Sequence, residues 1–442
     1  MAEIIPLRGI RYVEEKVGHL DRIMAPPYDV VSPEEQDLLY KKSPYNIIRL
    51  EKPRHEPGDT GEERYLRAGD QYRWWLKDGV LKREDKPSLY LYEEGFPGDD
   101  GELRVRRGLT CGVKLTPYEE RVVLPHEETM EKPKEDRLKL MRACKANISP
   151  LFSLYAAKEG EDPLPELLDP FREAAPVISF SDSRGFSHRV WAVDDEAAIG
   201  KVAEFFAGRQ IFMADGHHRY ETALAYHREL GRPAGAAAAY VMMTLVNIYD
   251  PGLVVLPTHR LVRGGGSSGD GDFQAGNSLN IKALLSSLEG AFDVEKCSYS
   301  TAEEVCGRGL KELERAGADS PAMGLFAGEG QFFLLRYKNG AGIEEHSHFE
   351  ELDAVLLQEL ILEKVLGIDA EKRHQGDYLR YTRDCREAVS EVLKGNCQMA
   401  FLLNPTPAKA VIRAATAGQK MPQKSTYFYP KLTAGLIINP LD

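Results

Sequence analysis

The residues best suited to chemistry lie together in the motif DGHHR, residues 215–219, inside the stretch RQIFMADGHHRYETALAY. An apolar run precedes the motif and apolar residues of helical period follow it, which predicts a buried strand, a tight turn and a helix. Gly216 would let the backbone turn or approach a ligand closely. The helix would present unpaired N–H groups and the positive end of its dipole at this turn.

The side chains of His217, His218 and Arg219 would add donors and charge at the same turn. We therefore expect a bound anion there, and phosphate is its natural occupant. The alternative is an ordinary strand-to-helix turn with an Asp cap and incidental histidines. Five polar or flexible residues in a row contribute little to a core, which favours the functional interpretation.

A second polar cluster lies in the segment HEETMEKPKEDRL, directly after an apolar strand pattern. Its candidate ligand groups are His126, Glu127, Lys134 and Arg137. Ligands bind at strand ends in sheet proteins, whereas the alternative is a solvated charged turn. The His-Glu pair lacks the i, i+4 histidine spacing of a zincin.

Two further sets of polar residues complete the candidates. His259 and Arg260 end an apolar segment after a proline, and Lys424, Ser425 and Thr426 lie in the polar-aromatic tail GQKMPQKSTYFYPKL. The first pair could be structural, and the tail could be an edge strand that lysine protects from pairing. The aromatic content of the tail favours a segment that folds back onto the protein.

The surrounding pattern predicts alternating helices and strands. Ser32 followed by Pro33 and two glutamates is typical of a helix start. The pattern over 64–81 predicts an amphipathic helix that ends at Asp78-Gly79, and a further helix is predicted around 195–208. PSLYLYEEGF and LRVRRGLTCGVKL predict a strand hairpin. The apolar segment LDAVLLQELILEKVLG predicts a core or interface helix.

Length and composition limit the class of protein. A chain of 442 residues is longer than a single hydrophobic core ordinarily supports. We therefore expect an α/β region over 1–125, a core region over 126–263, a flexible linker or loop over 264–277 and an α/β region over 278–442. The net charge of −12 argues against a nucleic-acid partner. No apolar run predicts a membrane span or signal peptide. Six cysteines without a Cys-x-x-Cys pair suggest reduced thiols in a cytoplasmic protein.

Five segments together resemble the domain-of-unknown-function family numbered 1015, over nearly the whole chain: PPYDVVSPEE, HEETMEKPKEDRL with ANISPLFSLY, ADGHHRYETAL, DPGLVVLPTHRLV and MPQKSTYFYPKL. The strand–DGHHR–helix unit is also similar to the ParB/sulfiredoxin fold group, in which a Gly-x-His-Arg turn at a helix start holds nucleotide phosphates. Gly216, His218 and Arg219 match that turn. The resemblance implies an α+β (mixed α/β) fold with a ParB/sulfiredoxin-like core and additional α/β regions.

That fold group includes NTP-hydrolysing partition proteins, sulfinic-acid reductases and free-serine kinases. The turn in this chain has no cysteine, which disfavours sulfinic-acid repair, and no helix-turn-helix is recognisable. The resemblance then implies a nucleotide-dependent phosphotransferase (a kinase) that acts on a small hydroxyl-bearing metabolite, with ATP or another nucleotide and Mg²⁺ as cofactors. The nearest analogue is a free L-serine kinase. The alternatives are a nucleotide-binding regulatory or NTP-hydrolysing protein of ParB-like type, and a metal-dependent hydrolase.

On this hypothesis the four residues from Gly216 to Arg219 bind phosphate. A carboxylate must accept the proton of the acceptor or hold magnesium, and the candidates are Asp215, Glu221, Asp29 and Glu127. Further walls of the site would be His126, Lys134, Arg137, His259, Arg260 and Lys424, with Ser425 and Thr426 beside the last. The sequence does not decide which of these carboxylates would hold a metal, nor whether the protein is a homo-oligomer.

Overall fold

The computed structural model describes residues 1–98, 101–127, 129–231, 236–263, 281–299, 301–338, 352–375 and 377–442. The chain forms two compact units. The first comprises Met1–Val254 and Phe428–Asp442, and the second comprises Val255–Tyr427. The strands Val254–Leu256 and Tyr427–Tyr429 contain the residues at which the chain passes from one unit to the other.

The first unit is organised around a mixed sheet of nine strands. Ile4–Ile5 pairs with one end of Leu103–Lys114. The other strands follow one another across the sheet in the order Val123–Leu124, Ile211–Asp215, Leu151–Tyr155, Tyr240–Asn247, Leu103–Lys114, Leu89–Pro97, Ser187–Val193 and Ile178–Ser181. Two smaller ladders pair Ile10–Tyr12 with Leu81–Arg83 and Ala146–Asn147 with Asn439–Pro440.

Helices connect and flank the strands of the first unit. They are Glu14–Val17, Pro33–Lys42, Ile48–Glu51, Glu63–Lys77, Glu131–Cys144, Leu164–Leu168, Glu196–Ala207 and His217–Leu230, with short 3₁₀ turns at Leu20–Arg22, Tyr118–Glu120, Asp169–Glu173 and Ala237–Ala239. Val202 and Phe206 of one helix and Tyr220 and Ala223 of another join buried sheet residues in a single apolar core. Burial of these apolar side chains stabilises the part of the sheet that carries the strand Ile211–Asp215 and the DGHHR motif.

The second unit contains an antiparallel sheet of six strands with a core on each face. Its strand order is Phe292–Cys297, Phe332–Tyr337, Ala322–Phe326, Met399–Leu403, His259–Val262 and Leu379–Thr382. Successive residues of Met399–Leu403 alternate between the two cores, as the period of a strand requires. The helices are Ile281–Leu288, Ala302–Glu304, Leu310–Asp319, Asp353–Leu356, Ala370–Gln375, Cys385–Leu393 and Ala408–Ala417, and π-helical segments span Val305–Gly309 and Leu357–Glu363.

The mixed α/β fold class predicted from the sequence is confirmed. The Ser32 side chain accepts a hydrogen bond from the Glu35 amide at the start of Pro33–Lys42, and the predicted hairpin pairs Leu89–Pro97 with Leu103–Lys114. The division into regions 1–125, 126–263 and 278–442 stays a prediction. The predicted linker over 264–277 lies outside the described residues.

The prediction that all cysteines are reduced thiols is wrong for one pair. Cys306 and Cys385 are joined in a disulfide, with 5.7 Å between their Cα atoms, whereas Cys111, Cys144, Cys297 and Cys397 are free and buried. The two bonded residues are 79 positions apart in sequence. No spacing motif could indicate this pair, because only the packing of two helices brings the sulfurs together.

Candidate functional site

The DGHHR motif forms the predicted strand, turn and helix. The strand Ile211–Asp215 is followed by Gly216 at a φ of +95°, and the helix His217–Leu230 begins at the next residue without a side-chain cap. A Cβ atom at position 216 would lie 3.1 Å from both Leu151 Cγ and Arg219 Nη2. Glycine is required here because it tolerates the left-handed conformation and leaves room for the arginine.

Two cations converge on the carboxylate at the end of the strand. Arg219 Nη2 lies 2.9 Å from Asp215 Oδ2, and Lys431 Nζ donates to Asp215 Oδ1. The three side chains are largely buried, with exposed fractions of 15% for Asp215, 11% for Arg219 and 10% for Lys431. Burial by itself opposes ionisation of Asp215, but the charges of Lys431 and Arg219 outweigh it and hold the pKa of the carboxyl well below its usual range.

Arg219 is fixed by further contacts. Its Nη1 donates to Ser149 Oγ and to the Pro150 carbonyl, each at 2.9 Å. The Ser149 hydroxyl donates to Glu51 Oε1 at 2.9 Å. Among the described residues, no acceptor forms a hydrogen bond with the buried Arg219 Nε. The guanidinium is therefore held in one orientation and keeps one donor for another group.

A small cavity of about 40 Å³ lies beside this arginine. Polar residues (Glu51, Arg137, Ser149 and Arg219) and apolar residues (among them Leu140, Met141 and Val241) line it. The arginine therefore borders a small internal space.

The histidines of the two clusters pack against each other. The His217 and His126 rings form an edge-on pair with 4.8 Å between their centroids. His217 Nε2 accepts from the His126 amide at 3.4 Å, and His217 Nδ1 lies 3.9 Å from Glu127 Oε2. His126 Nδ1 donates to the Met213 carbonyl at 2.8 Å, the tautomer being inferred from that acceptor.

Burial lowers the pKa of His126, and it lowers the pKa of His217 well below its ordinary value. Both rings are therefore neutral at pH 7. The expectation that His217 adds positive charge to the turn is wrong for this reason, and the fixed charge comes from Arg219 and Lys431. His218 is more exposed, and its Nε2 accepts from the Met130 amide at 2.9 Å.

Glu221 and Lys134 pair with each other one turn further along the helix. Glu221 Oε2 accepts from Thr129 Oγ1 at 2.7 Å and lies 3.2 Å from Lys134 Nζ. Lys134 also pairs with Glu131 at 2.7 Å. These contacts connect the helices Glu131–Cys144 and His217–Leu230, which gives both residues a structural role in addition to the predicted one.

Arg137 is connected to the turn through Glu51, whose side chain accepts a hydrogen bond from Ser149. Its Nη1 donates to the Glu51 carbonyl at 2.6 Å, and its guanidinium lies 4.0 Å from the centre of the Tyr28 ring. Burial raises the pKa of Tyr28 to about 12, an effect that Arg137 and Arg219 oppose. The PPYD segment is thus close enough to interact electrostatically with the turn.

The remaining predicted residues lie in the second unit. His259 Nδ1 accepts from the Leu403 amide at 3.2 Å, and burial together with the neighbouring Arg260 lowers its pKa to about 4. Arg260 Nη2 donates to the Lys424 carbonyl at 3.2 Å, and Ser425 Oγ donates to the Pro422 carbonyl at 2.6 Å. Their role in the phosphate site, with that of Thr426, stays a prediction.

Three residues that surround the turn were not predicted from the sequence, namely Lys431, Ser149 and Glu51. Lys431 lies in the same tail as Lys424, and no local pattern distinguishes the two lysines. Glu51 lies in a region whose pattern predicts short strands and loops, and Ser149 directly precedes an apolar strand pattern. Only the folded chain shows that these side chains contact Asp215, Arg219 or each other.

Two other kinds of feature are absent from the described ranges of the chain. No group of three or more His, Cys, Asp or Glu side chains in those ranges is placed to hold a metal ion. Within the same ranges, no helix combines the length and apolarity needed to cross a bilayer.

Comparison with known families identifies the chain. The family model DUF1015, described as a protein of unknown function, matches residues 4–355. The chain belongs to this family. The family predicted from the five sequence segments is therefore confirmed, and the curated proteins contain no match to the chain.

Several solved structures are similar to the chain at low identity. One is a glutamate-to-glutamine variant of a free serine kinase in complex with AMP, with 14% identity, coverage of 70% of this chain and 84% of that one, and a TM-score of 0.34. A glutamate-to-alanine variant in complex with ADP has 14% identity, coverage of 74% and 88%, and a TM-score of 0.35. SbnI from Staphylococcus aureus, with a C-terminal truncation, has 11% identity, coverage of 74% and 87%, and a TM-score of 0.36.

Proposed function

We propose that the protein binds a nucleotide through its phosphates at the turn 215–219 and transfers a phosphoryl group to a small hydroxyl-bearing metabolite, with free L-serine as the nearest analogue. One observation carries this proposal. Arg219 and Lys431 converge on Asp215 at the uncapped start of the helix His217–Leu230. Two cations and one carboxylate leave a net positive charge beside the positive end of a helix dipole.

The chain's own groups have distinct tasks in phosphate binding. Asp215 holds the two cations in place, because its ionised form pairs with both. The guanidinium of Arg219, whose side chain is 11% exposed, and the first amides of the helix would donate to phosphoryl oxygens. Such donors are positioned before the ligand arrives, so they stabilise charge on the transferring group without reorganisation.

Transfer to a hydroxyl also needs a group that accepts its proton. Asp215 is poorly suited because two cations stabilise its ionised form. We assign this task to Glu127, which lies 3.9 Å from His217 Nδ1. The hydroxyl proton would pass to Glu127 as the hydroxyl oxygen bonds to phosphorus and the nucleotide diphosphate leaves.

The residues at the turn fit nucleotide phosphates better than a protein-held metal. The carboxylate nearest the turn, Asp215, already pairs with Lys431 and Arg219. We therefore assign Mg²⁺ to the nucleotide, where it would neutralise charge between phosphates.

The first experiment measures nucleotide affinity by calorimetry with ADP, AMP and ATP, each with Mg²⁺. Wild-type protein is expected to bind, and Arg219→Gln to bind at least about tenfold more weakly, since a charge-assisted contact is worth about 1.5–3 kcal/mol. Arg142→Gln is the matched control, because that half-exposed arginine on a neighbouring helix pairs with Glu229. Unchanged affinity in a folded Arg219→Gln protein would contradict the assignment.

The second experiment separates transfer from hydrolysis. ATP turnover is followed by ³¹P NMR with and without L-serine and a panel of hydroxyl-bearing metabolites. A new phosphate ester that appears only with an acceptor supports the phosphotransferase. Acceptor-independent ADP formation would instead support the NTP-hydrolysing alternative.

A further inference from the structure

A large cavity lies in the first unit, away from the DGHHR turn. Its volume is about 670 Å³, which is within the range of small-molecule sites. The strand Leu151–Tyr155 connects the two places, since Pro150 before it contacts Arg219 and Tyr155 at its end lines the cavity. Five residues of strand span roughly 16 Å, so the cavity and the turn are separate sites.

The inner wall of the cavity is apolar. Leu91, Leu109 and Leu245 line it and also belong to the buried core of the first unit. The aromatic ring of Tyr155 is part of the same wall. A ligand that fits here must therefore carry a hydrocarbon portion, because polar groups against this wall would lose their hydrogen bonds to water.

Two carboxylates are fixed beside this wall. Asp162 Oδ2 accepts from the Tyr155 hydroxyl and from Asn247 Nδ2, each at 2.8 Å, and Asp250 Oδ1 accepts from the Gly252 amide at 2.8 Å. The Asp250 amide in turn donates to the Asn247 carbonyl at 2.9 Å, so Asn247 contacts both acids. Burial raises the pKa of Asp250, so its ionised form lacks full compensation.

Two of the cations of the cavity are already paired with carboxylates. Arg107 Nε lies 3.1 Å and Arg172 Nε 3.2 Å from Glu93 Oε1, and Arg172 also pairs with Asp169. The third cation, Lys158, is exposed. Five carboxylates and three cationic side chains line the cavity, so the local charge favours a positively charged ligand.

We propose that this cavity binds a small organic cation, with an ammonium group at Asp162 and Asp250 and a hydrocarbon body on Leu91, Leu109 and Leu245. The ring of Tyr155 would contribute a favourable contact with the cation. Such a ligand has the opposite charge to that expected at the phosphate turn. The cavity is therefore a second binding site and not an extension of the first.

Calorimetry with three six-carbon probes of different charge tests this proposal: hexylammonium, hexanol and hexanoate, at equal ionic strength. Hexylammonium is expected to bind most tightly. Asp250→Asn is expected to weaken its binding about tenfold, the equivalent of 1.4 kcal/mol. Glu14→Gln removes one exposed carboxylate outside the cavity and is expected to leave the affinity unchanged.

A second variant keeps the test decisive if Asp250→Asn does not fold. Lys158→Glu changes an exposed residue of the lining and should tighten hexylammonium binding. The proposal is overturned if no probe binds or if hexanoate binds as well as hexylammonium. Equal weakening by Glu14→Gln and Asp250→Asn would also overturn it, because it would show attraction to the acidic protein as a whole.

Discussion

The pairing of Lys431 with Asp215 makes a quantitative prediction about stability. Lys431→Met keeps most of the side-chain length and removes the charge that contacts Asp215 Oδ1. The carboxylate stays buried, and Arg219 remains 2.9 Å from its other oxygen. We therefore expect the variant to fold but to be less stable than the wild type.

The expected size follows from the burial of the pair. Removing one partner of a buried ion pair costs about 3–5 kcal/mol when the other charge is left uncompensated. Because Arg219 still compensates Asp215, we expect the lower end, about 3 kcal/mol. Asp215→Asn should also destabilise the protein, since it leaves two cations close together. The double variant should lose less than the sum of the two, with a coupling of about 2 kcal/mol.

Urea unfolding followed by tryptophan fluorescence measures this coupling. All three tryptophans, at positions 74, 75 and 191, lie in the first unit, so the signal reports on that unit alone. The control cycle uses Lys86 and Asp194, which pair at 2.9 Å but are 72% and 50% exposed, and no measurable coupling is expected there. Additive effects of Lys431→Met and Asp215→Asn would refute the reasoning.

Three other predictions follow from the same kinds of observation. Gly216→Ala should lower the melting temperature of the first unit, since alanine at a φ of +95° costs about 1–2 kcal/mol; an unchanged value would contradict the backbone argument. Burial depresses the pKa of His126 and His217, so the unfolded chain binds protons at these rings more readily than the folded one. The first unit should therefore lose stability as the pH falls below about 6.5. His217→Asn should make the free energy of urea unfolding less dependent on pH. Burial raises the pKa of Asp353 to about 6, so the second unit should lose about 3 kcal/mol as the pH rises from about 4 to above 6. NMR titration of the Asp353 carboxyl checks that value, and Asp353→Asn should remove the dependence.

The sequence by itself determined the local elements and the family. The apolar run before Asp215 and the helical period after it predicted the strand Ile211–Asp215 and the helix His217–Leu230, which the structure contains. Gly216 was identifiable as the turn residue because few other residues tolerate a positive φ. These features depend on residues that are close together in the sequence, so a sequence pattern can predict them.

Only the tertiary structure decided which charges meet at the turn. Lys431 is 216 residues from Asp215, and its contact depends on the last fifteen residues belonging to the first unit. The charge of His217 was likewise predicted wrongly from the sequence, because its pKa depends on burial in the folded chain, where it packs against His126. Pairing and desolvation are properties of the packed chain, and both can change the charge of a site without changing any residue in its motif.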